Sequence, residues 1–200
     1  MPARATVTTA TIVLGVALNL GQTWVRSGAP FVPTAQSKID AVIGAGGLLH
    51  ALPPQSRSHL IDLGSGSGAM VRAAVRRAGF RRATGYEVNG ALALYAWLRS
   101  FLAAKEHIRW ESLWAANCTD ATVVFVFGVP PMMAALGSKL SNELPAGGIV
   151  VSNRFAFPKT DTADGRRAWV EVERRWLEVS RLSQLTPDES SHVYVYRVSE

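Results

Sequence analysis

The run DLGSGSG, Asp62 to Gly68, places a carboxylate directly before three glycines set at every second position. Glycine has no Cβ, so a backbone of this kind lets a ligand approach closely. About 20 residues further on, Glu87 supplies a second carboxylate at the offset where an acidic side chain accepts hydrogen bonds from both hydroxyls of a ribose. A glycine turn with such a partner fits a dinucleotide or S-adenosylmethionine. The charge in the turn separates them. A pyrophosphate wants a bare helix N-terminus and G-x-G-x-x-G spacing, and Asp62 would repel it. The same carboxylate attracts the ammonium of a methionine moiety, directly or through water. The residues therefore favour S-adenosylmethionine. A turn kept only for tight helix–strand packing would not need Glu87 at the matching offset.

These residues must be positioned by strands and helices, and the chain alternates between the two. An apolar run around Leu60 to Leu63 reads as a buried strand, and a helix is expected from about Ser67 to Arg77. RRATGYEV is a second strand ending at Glu87, and NGALALYAWLRSFLAAKE a helix capped by Asn89. HIRW, ATVVFVFG and GGIVVSNRF complete the strands, with a proline-opened helix, PPMMAALGSKLSNEL, between the last two. Near-continuous apolar strands separated by helices indicate a parallel sheet covered on both faces. The fold class is α/β, doubly wound. In such sheets ligands sit beyond the carboxyl ends of the strands, where the glycine turn falls. In the tail, RRAWVEVERRWLEVSRLSQL is ambiguous between helix and strand, whereas SSHVYVYRVS alternates as a half-exposed strand, expected to lie antiparallel.

Before the core, SGAPFVPT, Ser27 to Thr34, marks a boundary, and Thr34 is expected to cap a helix carrying Ile39, Val42, Ile43 and Leu48. Upstream, Ala10 to Val25 is apolar with basic flanks, and no acidic residue occurs before Asp40. It is shorter than the roughly 20 apolar residues that span a bilayer comfortably. A secretory signal, a membrane anchor and an organelle address all fit. A retained anchor or mitochondrial address is preferred, because a single cysteine gives no support to an oxidising destination. A first helix packed on the domain stays open. The expected organisation is an apolar targeting or anchor segment over 1–29 and a catalytic domain over 30–200, of which 30–56 form a pre-core helix and loop.

Composition narrows the chemistry further. Two hundred residues, 48% hydrophobic, suffice for one sizeable core. Cys118 stands alone and His50, His59, His107 and His192 are scattered without ligand spacing, so metal catalysis is not expected and each histidine reads as a surface or boundary residue. The net charge of +6 suits an anionic partner. Its densest source, Arg76 to Arg82, falls where a helix ends, and reads as a solvated, dipole-favoured terminus rather than a nucleic-acid patch.

DLGSGSG, GYEVN, SLW, VFGVPPMM and NRFAFP together resemble the seven-strand methyltransferases, and more narrowly the mitochondrial lysine methyltransferases that modify the ATP synthase c-subunit and the adenine nucleotide translocase. PFVPTAQSKIDAVI is similar to the segment before the core in that family. The resemblance runs from Pro30 to about Pro158. It implies a Rossmann-like, seven-stranded, mostly parallel sheet with an antiparallel C-terminal strand, preceded by an apolar N-terminal helix. Its cofactor would be S-adenosyl-L-methionine, with Asp62, Gly64, Ser65, Gly66 and Gly68 on the methionine side and Glu87 and Asn89 at the ribose. The family carries Asp where Ser67 stands and Asp where Ser112 precedes Leu113-Trp114, so the adenine contact would fall to Glu111 or the Ser112 hydroxyl. Gly128, Val129, Pro130 and Asn153, at the ends of the fourth and fifth strands, would position the substrate. The implied activity is protein-lysine N-methylation of a small integral membrane protein at the mitochondrial inner membrane, with membrane association through the N-terminal segment and no nucleic-acid partner. The alternatives are a small-molecule or RNA methyltransferase, and a non-catalytic binding protein of the same fold.

Overall fold

A computed structural model describes residues 34–44, 47–158, 169–176 and 192–198. The apolar segment Ala10 to Val25 and the boundary before Thr34 lie outside the described residues. In chain order the elements are α1 (Gln36–Ile43), β1 (His59–Leu63), α2 (Ala69–Arg76), β2 (Arg82–Tyr86), α3 (Gly90–Ser100), β3 (Glu106–Arg109), β4 (Val123–Val126), α4 (Pro130–Glu143), β5 (Ile149–Asn153), β6 (Trp169–Trp176) and β7 (His192–Val198). The sheet order is β3-β2-β1-β4-β5-β7-β6. The first five strands in sequence pair in parallel, and β7 runs antiparallel to both β5 and β6. The topology reverses between β1 and β4, so the carboxyl ends of these central strands frame a crevice.

The period-two alternation of the strands sorts their side chains into two apolar layers. Leu60, Val123, Phe125, Val151 and Val195 face one side, where they meet α1 and α2 through Ile39, Val42, Met70 and Val71. Ile61, Val124, Val126, Val150 and Tyr196 face the other and pack on Met133, Leu136 and Leu140 of α4. Both faces are covered, which is why the central strands read as unbroken apolar runs.

Several expectations are corrected. The first helix is capped by Ala35, with no side-chain hydrogen bond, rather than by Thr34. Gly44 ends that helix, and Leu48 lies in the separate 3₁₀ turn Leu48–Ala51. The helix expected to run to Glu106 stops at Ser100. Glu106 instead begins β3, because its buried carboxylate accepts two hydrogen bonds from Arg76, Nε at 2.6 Å and Nη2 at 2.9 Å. The ambiguous tail segment contains a strand, β6, whose ladder with β7 decides what local propensity leaves open. His59 is not a surface residue: its ring is buried between Asp120 at 3.0 Å and the Thr84 hydroxyl at 2.9 Å, and burial holds its pKa below the usual value.

The arginine-rich stretch is a set of ion pairs rather than a bare helix end. Besides Arg76 with Glu106, Arg77 meets Asp40 at 2.7 Å and Arg82 meets Asp120 at 2.5 Å. Arg57 acts as a rivet, its guanidinium donating to the carbonyls of His50, Leu52 and Ala78. The Arg76–Glu106 pair joins α2 to the edge strand with one partner fully buried. Removing Arg76 alone strands that carboxylate. Arg76→Met is expected to lower the unfolding free energy by about 1–3 kcal/mol, discounted because Arg76 is half exposed, and adding Glu106→Gln should restore most of the loss. Urea denaturation of the single and double variants checks this.

Candidate active site

The crevice is built around the loop between β1 and α2. Gly64, Gly66 and Gly68 all have positive φ, at 84°, 51° and 73°, a region that costs other residues strain. Gly68 caps α2 and lies so close to α3 that an added Cβ would sit 3.1 Å from the Ala96 methyl. The loop is pinned to the end of β2: the Gly64 and Ser65 amides both donate to the Tyr86 carbonyl at 2.9 Å. Over Gly64 there is open space, with nothing within 4 Å of where a Cβ would stand.

Glu87 sits just beyond β2 and is buried. One carboxylate oxygen accepts the Gly66 amide at 2.8 Å and the other the Asn89 amide at 2.7 Å. Each oxygen keeps a second acceptor direction for a ligand hydroxyl. Asn89 caps α3 as expected, its side-chain oxygen accepting from the Leu92 amide at 3.1 Å. Asp62, at the end of β1, is also buried; burial pushes its carboxyl up to about 8, with the Glu87 charge adding to the shift. An incoming cation would reverse that shift. The Ser65 hydroxyl is buried without a hydrogen-bond partner among the described residues.

The structure thus brings Asp62, Gly64, Ser65, Gly66, Gly68, Glu87 and Asn89 together. Glu111 and Ser112 follow β3, where Glu111 is exposed and lies near enough to Tyr86 for its charge to raise the phenol's pKa, an effect second to burial. Ser112 accepts the Trp114 amide at 3.3 Å, so its oxygen already caps the 3₁₀ turn Leu113–Ala115. On the other side of the crevice, Gly128 has no room for a Cβ beside the Met133 sulfur, 2.7 Å away, and Val129 and Pro130 open α4. Asn153 ends β5, fully buried, with its side-chain nitrogen unpartnered among the described residues.

Two participants escaped the sequence reading. Lys38 of α1 donates to the Asn153 side-chain oxygen at 3.0 Å, and its ammonium lies 5.9 Å from the centre of the Phe127 ring. The contact spans 115 positions in sequence, so no local spacing announces it. Trp110 lays its indole against Gly90, where a Cβ would come within 2.9 Å of the ring, and donates from Nε1 to the Val88 carbonyl at 3.0 Å. NRFAFP divides between rim and core. Arg154 adopts a left-handed φ of 79° and is exposed, whereas Phe157 packs edge-on against Tyr196 at 5.2 Å in the core.

A strand order with β7 inserted antiparallel between β5 and β6, and a glycine loop joined to an acidic residue after β2, define a methyltransferase-type sheet and crevice. A family model described as the ANTKMT methyltransferase domain matches residues 62–164, and the chain belongs to that family. It is 38% identical over 135 residues to the mouse (Mus musculus) lysine N-methyltransferase of the ATP synthase c-subunit, an alignment covering 65% of this chain and 50% of that protein. It is 36% identical over 137 residues to mouse adenine nucleotide translocase lysine N-methyltransferase, covering 66% and 56%. The chain thus spans about half the length of these relatives. In fold it resembles the crystal structure of an RNA methyltransferase from Salinibacter ruber in complex with S-adenosyl-L-homocysteine, with a TM-score of 0.62 and 24% identity over 84% of this chain and 95% of that one.

The tight seat of the glycine loop on β2 generates a direct test. A methyl group added at Gly85 would fall 2.5 Å from the Ser65 hydroxyl oxygen and 2.6 Å from its Cβ, forcing the loop off the sheet. Gly85→Ala is expected to lower stability by about 1–3 kcal/mol and to weaken cofactor binding more than an alanine at the open, surface-exposed Gly79 does, as calorimetry on the two folded variants would read.

Proposed function

We propose that the chain is an S-adenosylmethionine-dependent protein-lysine N-methyltransferase acting on a mitochondrial inner-membrane protein of the ATP synthase c-subunit or adenine nucleotide translocase type. The observation that carries this reading is the buried Asp62 carboxyl beside the open space over Gly64, with Glu87 one strand away. This donor set fits the cofactor: a carboxylate for its ammonium, glycine backbone for close approach and a second carboxylate for its ribose. When bound, S-adenosylmethionine supplies a methyl group on a sulfonium, which leaves as a neutral thioether. The names of the relatives give the substrate class.

In this reading Asp62, Gly64, Ser65, Gly66 and Gly68 hold the methionine moiety, Glu87 and Asn89 order the ribose edge, and Glu111 and Ser112 flank the adenine. Gly128, Val129, Pro130 and Asn153 position the substrate. A lysine amine must arrive neutral, and its ordinary pKa near 10.4 means a proton has to leave first. Asn153 faces that requirement with an oxygen held by Lys38 and a buried amide nitrogen. The Lys38 charge adds an electrostatic bias against an ammonium at the β4–β5 rim, favouring the neutral nucleophile. Residues 30–200 form the methyltransferase unit, 30–56 its pre-core part, and 1–29 the targeting or anchoring segment.

The electrostatics of Asp62 set a pH signature. Its pKa is raised in the folded chain, so between about pH 4 and 8 the folded state holds a proton that the unfolded state has released. This contribution to stability is complete at low pH and is lost as pH rises toward 8. A ligand ammonium draws Asp62 into its charged form, so binding at neutral pH should release a proton. Calorimetry in buffers of different ionisation enthalpy is expected to detect that release with the native chain and not with Asp62→Asn, whose affinity should fall at least about ten-fold. Incubation with labelled S-adenosylmethionine and mitochondrial extract is expected to label protein lysines. Label in RNA alone, or cofactor binding indifferent to Asp62, would overturn the reading.

A further inference from the structure

Helix α3 is built inside out. Its sheet-facing positions are Ala93, Ala96 and Ser100, while Leu94, Tyr95, Trp97, Leu98, Phe101 and Leu102, on the helix and just after it, are between 47% and 87% exposed. The inward alanines follow from close packing, since Ala96 touches Gly68 of the cofactor loop. Nothing in that packing requires large apolar side chains outside. Leu94, Leu98 and Phe101 or Leu102 recur at helical spacing with Tyr95 alongside, so they form one stripe. The Trp97 and Phe101 rings lie against each other at 5.5 Å, and Trp110, 72% exposed, extends the apolar surface at the helix N-terminus, where its ring covers Gly90.

The charges beside the stripe share one sign. Arg99 leans on the Tyr95 ring and donates to its hydroxyl at 3.1 Å, and Lys105 and Arg109 are exposed on the turn and strand that follow. The acid among them, Glu106, is buried and neutralised by Arg76; the next, Glu111, is exposed beyond the end of β3. A convex ridge of Leu, Phe, Tyr and Trp edged by Arg and Lys has the chemistry of a helix lying in the interface of an anionic bilayer: apolar side chains reach the acyl boundary while cations meet phosphates. Among the described residues no helix is long and apolar enough to cross a membrane, so contact here is by lying on the surface.

We propose that the outer face of α3, with Trp110, is a docking surface for an anionic phospholipid bilayer, separate from any association through the N-terminal segment. The helix rests on lipid along its length, and Arg99, Lys105 and Arg109 select anionic headgroups.

The full chain permits a site-specific test. Cys118 is buried and its thiol is pushed up to about 12, chiefly by burial, so it resists labelling. An environment-sensitive maleimide fluorophore can then be placed at Leu98→Cys, or at Asn142→Cys on the exposed side of α4 as a control. With vesicles of phosphatidylcholine and cardiolipin, the label at position 98 should shift to the blue and that at 142 should not; with phosphatidylcholine alone the shift should be much smaller. Lys105→Gln and Arg109→Gln should each weaken partitioning about five-fold at low salt, and the triple variant L94Q/L98Q/L102Q at least about ten-fold in the unlabelled chain. If the chain floats with vesicles while the label at 98 stays unshifted, another segment carries the binding and the proposal fails. It also fails if the label is already shifted without vesicles: a concentration-dependent shift means a second copy, and a concentration-independent one means that the chain's own apolar segment covers the face. None of these readings requires methyl transfer, so they stand apart from the outcome of the activity assay.

Discussion

Two buried carboxylates on neighbouring parallel strands are the constraint around which this molecule is arranged. Asp62 and Glu87 are both nearly sealed from water, and each makes the other's charge harder to hold. The chain resolves the conflict unevenly. Glu87 is given two backbone amides, from Gly66 and Asn89, and these bonds tie the cofactor loop to the start of α3. Asp62 carries the desolvation and keeps its proton to about pH 8. An environment that penalises charge at one carboxylate and supports it at its neighbour is prepared for a cation beside the first and hydroxyls beside the second.

The same arrangement dictates small residues nearby. The loop sits so low on the sheet that Gly85 has no space for a side chain, and so near α3 that Gly68 faces the methyl of Ala96. Alanines on the inner face of α3 are therefore a consequence of the loop. On the other side of the crevice, where α4 packs, the large apolar residues Met133, Leu136 and Leu140 point inward in the ordinary way. The two flanks of the sheet thus differ in kind: α4 is held by its apolar face, whereas α3 is held by hydrogen bonds at its N-terminus and by close backbone approach.

Much of this was legible in the sequence because it is local. The glycine turn, the acidic residue after β2 and the Asn89 cap all follow from spacing within about 30 residues, and the strand pattern declared a sheet covered on both faces. What the sequence concealed depends on partners far along the chain. Glu106 reads as the end of a helix until Arg76 is placed opposite it. His59 looks like a boundary residue until Asp120 and Thr84 close around it. Lys38 has no visible link to Asn153 until α1 folds over the β5 end. Thr34 met the local rule for a cap, yet the helix begins two residues later at Gln36 with Ala35 as its cap, and the sequence pattern has no term for that offset.

Glu87 also gives the molecule a mechanical property. Because one carboxylate holds the Gly66 amide and the Asn89 amide together, helix and loop form a lever pivoting on a single side chain. Tilting α3 moves the loop, and filling the loop biases the tilt. By reciprocity, any contact that prefers one inclination of the helix changes ligand affinity by the factor with which the ligand changes that contact. The outer surface of α3 and the floor of the crevice are therefore two ends of one thermodynamic cycle.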